Sequence, residues 1–263
     1  MNTQHCIITQ KLSRSVAQSI ATSLILFFAY PAAIALDKAA LQQAISGPDR
    51  DVGDFVRDQV RKPIEVLDFV GIEAGMEVLD LYAAGGYYTF ILSKAVRETG
   101  LVYAQNTPRG LNFVEDRQDI TQGQALNNKI TQGELENVIQ IIRPLDEIGI
   151  APESLDAVML AQTLHDYYNP NSTRALNMLI QLKDLLKHGG VIAVTDHIGI
   201  SGRDNSAMHR MEIQQAIDIA VIAGYEIESS ELLRVSNDDH SRSIFDPRLN
   251  RTTDRFLLKL IKP

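Results

Sequence analysis

The chain is poor in cysteine, with one in 263 residues, and it has no tryptophan. Cys6 lies ahead of the first apolar run, so everything beyond it lacks a thiol, which excludes disulfides, thiolate metal ligands and a cysteine nucleophile there. That lack is compatible with an oxidising compartment. Basic residues are also in deficit: 25 Lys and Arg against 33 Asp and Glu give a formal charge of −8, and an acidic body repels nucleic acid. Beyond the N-terminus no apolar run is long enough to span a bilayer. A hydrophobic fraction of 45% with 22% charged residues describes one sizeable globular domain.

At the N-terminus, Lys11 and Arg14 precede "SIATSLILFFAYPAAIA", which ends in Ala33-Ile34-Ala35. A basic stretch, a short apolar segment and small residues at a peptidase site make an export signal over 1–35. Cleavage after Ala35 leaves 36–263, two units more negative than the whole chain, in a periplasmic or secreted location with no membrane attachment. The alternative is an uncleaved membrane anchor, since Ile20 to Leu36 falls just short of the roughly 20 residues that span a bilayer; Pro31 and the Ala-x-Ala ending favour cleavage. Cys6 is wrongly placed for lipid attachment after cleavage.

Residues 36–70 read as an N-terminal helical segment. "DKAALQQAIS" ends at the turn pair Gly47-Pro48, Arg50 to Gln59 forms a second helix, and Pro63 suits the first turn of a third. From Met76 the rhythm changes, and 71–263 reads as an α/β domain. Short apolar runs, "MEVLDLY", "GLVYAQN", "NVIQII", "LDAVMLAQ" and "GGVIAVTD", alternate with helix-length stretches such as Gly86 to Glu98 and Ser172 to Lys187. Such alternation is the form of a parallel sheet covered on both faces. A helix from about Met208 to Ala223 is then followed by "YEIESSELLRVS" and "DRFLLKLIKP" with no helix between, which predicts an antiparallel pair at one edge. "ITQG" occurs at 120–123 and again at 130–133, too short an echo for a repeat. Ligands of such sheets sit beyond the carboxyl ends of the strands, after Asp80, Asn106, Gln162 and Asp196.

The loop "VLDLYAAGGYYT" carries Asp80, Gly85 and Gly86, and glycines there let a ligand approach the main chain. Together with "GLVYAQN", "LDAVMLAQTLHDYYN", "LLKHGGVIAVTDH", "AGYEI" and "DRFLLKLIKP", it resembles the class I S-adenosylmethionine-dependent methyltransferases. More narrowly, it resembles a group of exported predicted methyltransferases carrying "GGYYT" and "HDYYN". The likeness runs from about Arg61 to Pro263. It implies a Rossmann-like fold with a seven-stranded, mostly parallel sheet whose last strand is antiparallel, and S-adenosylmethionine as cofactor. Laid on the family's acid-x-Gly-x-Gly-x-Gly motif, the acid is Asp80 and the glycine positions are Tyr82, Ala84 and Gly86, with Gly85 able to supply freedom one residue earlier than the last. Tyr82 requires either an ordinary backbone angle or a displaced ligand. Asn106 takes the place of the carboxylate that accepts the ribose hydroxyls, at a cost of about 1–2 kcal/mol for a neutral acceptor. Asp146 is the candidate adenine contact, and Gln162 lies at the fourth strand's end. "LLKHGG" matches the turn before the fifth strand, with His188 in the family's proline position.

At the same rim, "LHDYYN" (164–169), "TDH" (195–197) and His209, read as opening a helix with Arg210, bring histidines and carboxylates together. One reading is base catalysis of methyl transfer, with His165 as base and Asp166, Tyr167, His197 or His209 orienting it or the acceptor. Another is a divalent metal held by His165, Asp196 and neighbours; a third makes them helix caps and packing groups. Tyr87-Tyr88 and Tyr167-Tyr168 either flank an acceptor or pack the rim. "SNDDHSR" (236–242) reads as a solvated turn in preference to a cation site, and Arg61, Lys62 and Arg255 as surface ion pairs, with Arg61 also placed to close over the cofactor. The expected function is methyl transfer to a small molecule. The alternatives are an exported protein that binds a nucleoside or aromatic ligand without turnover, and a metal-dependent hydrolase or lyase on the same fold.

Overall fold

The computed structural model describes residues 35–263 apart from 49, 116–118 and 251; the signal-peptide expectation lies outside them. Three short helices come first. Asp37 caps α1 (Lys38–Ile45) by accepting the Ala40 N–H at 3.0 Å, and Asp51 caps α2 (Val52–Arg61) through the Gly53 N–H at 2.7 Å. Helix α3 (Pro63–Val70) opens on Pro63, whose missing N–H is harmless in a first turn.

The α/β domain then runs β1 (Glu77–Leu81), α4 (Tyr87–Val96), β2 (Leu101–Asn106), α5 (Gln122–Gln132), β3 (Val138–Ile142), β4 (Leu155–Ala161), α6 (Leu164–Tyr168), α7 (Ser172–Leu185), β5 (Leu186–His197), α8 (Ile213–Ile222), β6 (Glu226–Ser230) and β7 (Arg255–Ile261). One seven-stranded sheet has the order β3-β2-β1-β4-β5-β7-β6. Strands β1 to β5 pair in parallel, and β7 runs antiparallel between β5 and β6. The expected antiparallel pair therefore closes one edge, with the last strand as its inner member.

Alternate residues of the central strands serve two apolar layers, as period-two geometry requires. Leu79, Val158, Leu160, Ile192 and Val194 pack with α7 and α8. Val78, Val102, Met159 and Ala193 pack with α1, α3 and α4 on the other face. Burial on both faces is why these strands read as unbroken apolar runs. The arrangement leaves the carboxyl ends of β1, β4 and β5 and the start of β7 at one rim, with α2 above it. Among the described residues no helix is long and apolar enough to cross a membrane.

Candidate functional site at the carboxyl rim

A cavity of about 800 Å³ opens at this rim, between the loop after β1, the ends of β4 and β5, the start of β7 and helix α2. That volume lies in the range of about 300–1,000 Å³ usual for small-molecule sites. Asp80, Tyr82, Ala84, Gly85, Gln162, His165, Asp166, His197 and His209 reach its wall, whereas Gly86, Asn106, Asp146 and Tyr167 do not.

The loop keeps a glycine-like path without the glycines. Tyr82 and Ala84 have φ of 56° and 51°, beside 83° at Gly86. The ordinary backbone angle allowed for Tyr82 is thus not adopted: the residue takes the left-handed region, which costs a side chain roughly 1–2 kcal/mol. The end of β2 holds it there. Gln105 Oε1 accepts the Tyr82 N–H at 3.1 Å, and the Gln105 carbonyl accepts that of Ala83 at 2.9 Å. Asn106 grips Ala84 at both ends, Oδ1 accepting its N–H at 3.0 Å and Nδ2 donating to its carbonyl at 3.2 Å. Asn106 therefore braces the loop from behind, with its amide already committed, and is not offered to a ribose. The Tyr82 phenol is hydrogen-bonded to that of Tyr167, joining the β1 loop to α6.

A carboxylate from outside the strands stands beside the loop. Glu115 is buried, holds Arg57 at 2.6 Å and sits so close over Gly85 that a β-carbon there would collide with it. Sequence reasoning missed Glu115 because it lies between elements, and its only local signal is a carboxylate in an otherwise unremarkable loop. Asp146, on a one-turn helix after β3, is exposed and does not line the cavity, although its charge acts on the cavity-lining Tyr82.

The arginines are not surface ion pairs. Arg61 lies 4.4 Å over the Tyr87 ring and 3.5 Å from Gln162 Oε1, at the cavity wall. Buried Arg255, paired across strands with His197, donates to the Val60 carbonyl at 3.1 Å, and its pKa falls to about 10 through burial and the charge of Arg61. Lys62 donates to the Leu232 carbonyl. Tyr87 and Tyr88 are buried edge-to-face, with the Tyr87 hydroxyl on Asp58 of α2 at 2.7 Å. Asp80, buried beneath the loop, accepts from Thr89 at 2.6 Å, and burial pushes its pKa up to about 7 against that bond and the Arg61 charge.

The histidine cluster is organised by Asp196, which is fully buried. Its Oδ2 accepts the His165 N–H at 2.9 Å, and its Oδ1 meets His165 Nδ1 at 2.8 Å and accepts the His197 N–H at 2.7 Å. Both oxygens face His165 or His197, so Asp196 orients His165, and it is not among the donors that converge at Asp166. His165 Nε2 lies 3.2 Å from Asp166 Oδ1, and His209 Nδ1 lies 3.5 Å from the same oxygen. Burial disfavours charge on His165, but Asp196 and Asp166 outweigh it and push the pKa up to about 10. The two carboxylates thus favour the protonated imidazole, which runs against the free base expected of it. His197, whose Nδ1 meets Thr253 Oγ1 at 2.7 Å, is kept neutral by burial and by the positive charges of Arg255, His165, Arg210 and Arg61.

His209 does not open a helix. It occupies a turn with φ of 53°, and α8 begins four residues later. Arg210 is wholly buried, paired with Asp238 at 2.9 Å and donating to the carbonyls of Ile198 and Arg242. The 236–242 stretch is solvated along much of its length, as a polar turn would be, but Asp238 within it is a buried anchor and not a cation ligand. Ser236, Asn237, Asp239 and Ser241 face solvent, with Asp239 bonded to Ser241.

Comparison with solved structures places this architecture. A SAM-dependent methyltransferase from Aquifex aeolicus superposes with a TM-score of 0.57 at 20% identity, over 86% of this chain and 99% of its own. The fold is that of the class I methyltransferases. A proposed O-methyltransferase from Nostoc punctiforme gives 0.54 at 14% identity, over 87% of this chain and 62% of its own. A proposed sarcosine dimethylglycine methyltransferase from Galdieria sulphuraria gives 0.52 at 16%, over 81% and 88%. No protein-family model matches the sequence, and no curated protein matches it.

Proposed function

We propose that the protein transfers a methyl group from S-adenosylmethionine to a small molecule bound in the rim cavity. The observation that carries this reading is the left-handed Tyr82–Gly86 loop, held by Gln105 and Asn106 over buried Asp80 and opening onto that cavity in a methyltransferase-type sheet. The residues present fit the cofactor with one exchange: Glu115, beside Gly85, takes the ribose side in place of Asn106. Asp80 and Arg61 suit the ammonium and carboxylate of its amino-acid end. Bound there, the cofactor supplies a methyl group made electrophilic by its sulfonium.

On the acceptor side stand His165, Asp166, His197 and His209, with Tyr167 behind Tyr82. His197 Nε2 is buried, without a hydrogen-bond partner, and belongs to a cavity-lining ring; it is the nitrogen assigned to meet the acceptor. The small polar cavity and the acidic surface favour a small-molecule acceptor over nucleic acid.

Calorimetric titration with S-adenosylmethionine and S-adenosylhomocysteine is expected to give saturable binding, weakened in Asp80→Ala and Glu115→Gln. No heat at millimolar ligand overturns the assignment. The commitment of Asn106 to the loop favours a second reading, ligand binding without turnover. Methyl-labelled cofactor incubated with extract of the producing cells separates the two, since only turnover moves label into an acceptor.

A further inference from the structure

We propose that His165, Asp166 and His209 bind a first-row divalent transition-metal ion, independently of the cofactor reading. Their donor atoms lie within 4.8 Å of one another. The two edges that meet at Asp166 Oδ1, 3.2 Å to His165 Nε2 and 3.5 Å to His209 Nδ1, carry the argument. Ligands bonded at about 2.0–2.2 Å in a tetrahedron are separated by roughly 3.3–3.6 Å, so both edges already have the spacing an ion imposes. The third closes by rotation of the His209 ring, which is 41% exposed on its turn.

Orientation supports the same assignment. Asp196 accepts from the main chain of His165 with one oxygen and meets its Nδ1 with the other, so the ring has one pose, with Nε2 directed at Asp166. A carboxylate on the far nitrogen is the usual companion of a metal-bound histidine, fixing its tautomer and raising its basicity. His165 Nε2 is also buried without a well-aligned hydrogen bond, in a residue only 3% exposed. A buried polar atom left in that state calls for a partner, and an ion between it and Asp166 provides one, displacing to solvent the proton that the two carboxylates otherwise favour on that nitrogen. His165, Asp166 and His209 all line the cavity, so three protein ligands leave the remaining coordination positions open to an oxygen or nitrogen donor of a bound molecule. Imidazole and carboxylate donors suit zinc, iron and manganese.

The test uses untagged protein stripped with chelator and titrated with zinc against a chromophoric competitor, and cobalt(II) as a second probe read by its visible absorption. The wild type is expected to bind one equivalent and to give a cobalt spectrum of nitrogen and oxygen ligation. Asp166→Ala and His209→Ala change exposed side chains and leave the core intact, as circular dichroism will verify; each is expected to weaken zinc at least about tenfold and to abolish the cobalt band. His188→Gln, outside the site, controls for adventitious binding and is expected to match the wild type. Sub-stoichiometric zinc in the wild type overturns the proposal, as does unchanged affinity in either ligand variant or loss in His188→Gln. No outcome depends on S-adenosylmethionine, so the two proposals fail separately.

Discussion

Asn106 shows how a residue can match a motif position and serve another purpose. From the sequence it reads as a weakened ribose acceptor, and in the fold its amide clamps both main-chain groups of Ala84. Asn106→Asp therefore does not restore a stronger site: a carboxylate cannot donate to the Ala84 carbonyl and sets buried charge against it. A loss of about 1–3 kcal/mol in urea unfolding is expected, with no tighter binding of S-adenosylhomocysteine; tighter binding at unchanged stability would refute the bracing role. Asp80 yields a pH prediction. Its folded pKa of about 7 lies above the unfolded 3.8, so the native state carries the extra proton between about pH 4 and 7. Stability then falls as pH rises through that window, in total by on the order of 4 kcal/mol. The charged and polar groups acting on it are Thr89 of α4 and Arg61 of α2. Asp80→Asn removes the titration, keeps the Thr89 bond, and should gain on the wild type steadily from pH 4.5 to 8. Parallel stability curves would show that Asp80 is not held protonated.

At the scale of elements, legibility followed burial. Strands β1, β2, β4 and β5 were readable because burial writes them as apolar runs, and the largely exposed edge strand β3 through its β-branched residues, whereas α5 was not, since "QGQALNNKITQ" buries only Ala125, Leu126 and Lys129. Its signals were nevertheless present: the first "ITQG" supplies the Thr121 cap, boxed with Gln124, and the second closes the helix at Gly133. The same tetrapeptide thus opens and ends one helix. Helix α8 begins later than the sequence predicts because apolar spacing continues through Met208 and Met211, while the left-handed turn at His209 is set by tertiary contacts of Arg210. Helix α2 differs again: Asp54 is its one buried residue, Val52 and Val56 face solvent, and Asp58 to Arg50 and Arg57 to Glu115 tie it down. A helix held by ion pairs in place of apolar burial belongs to the low-stability end of a fold. Amides of 55–61 are expected to exchange before those of α4 and α7, and to slow when S-adenosylhomocysteine fills the cavity beneath. Protection of α2 equal to that of α4 in both states would contradict this.

For the whole molecule, the sheet, its chirality of connection and the rim all follow from element order, so most of the site's location was legible. Its charge was not, because Glu115, Arg61 and Arg255 reach the cavity through long-range packing and the β5–β7 register, which pairs His197 with Arg255. The last whole-chain question is processing. Cleavage after Ala35 would leave Leu36 first and Asp37, the cap of α1, second, so the cut would spare the contacts that α1 makes among the described residues, with Leu36 still against the core. Export is therefore expected to yield residues 36–263 with the fold intact. Intact-mass measurement of the chain recovered from the exported fraction of the producing cells should read that fragment, with unfolding by urea matching that of the full-length chain to within about 1 kcal/mol. A full 263-residue product confined to the cytosol would remove the export signal, and with it the difficulty of bringing a cytosolic cofactor to this cavity.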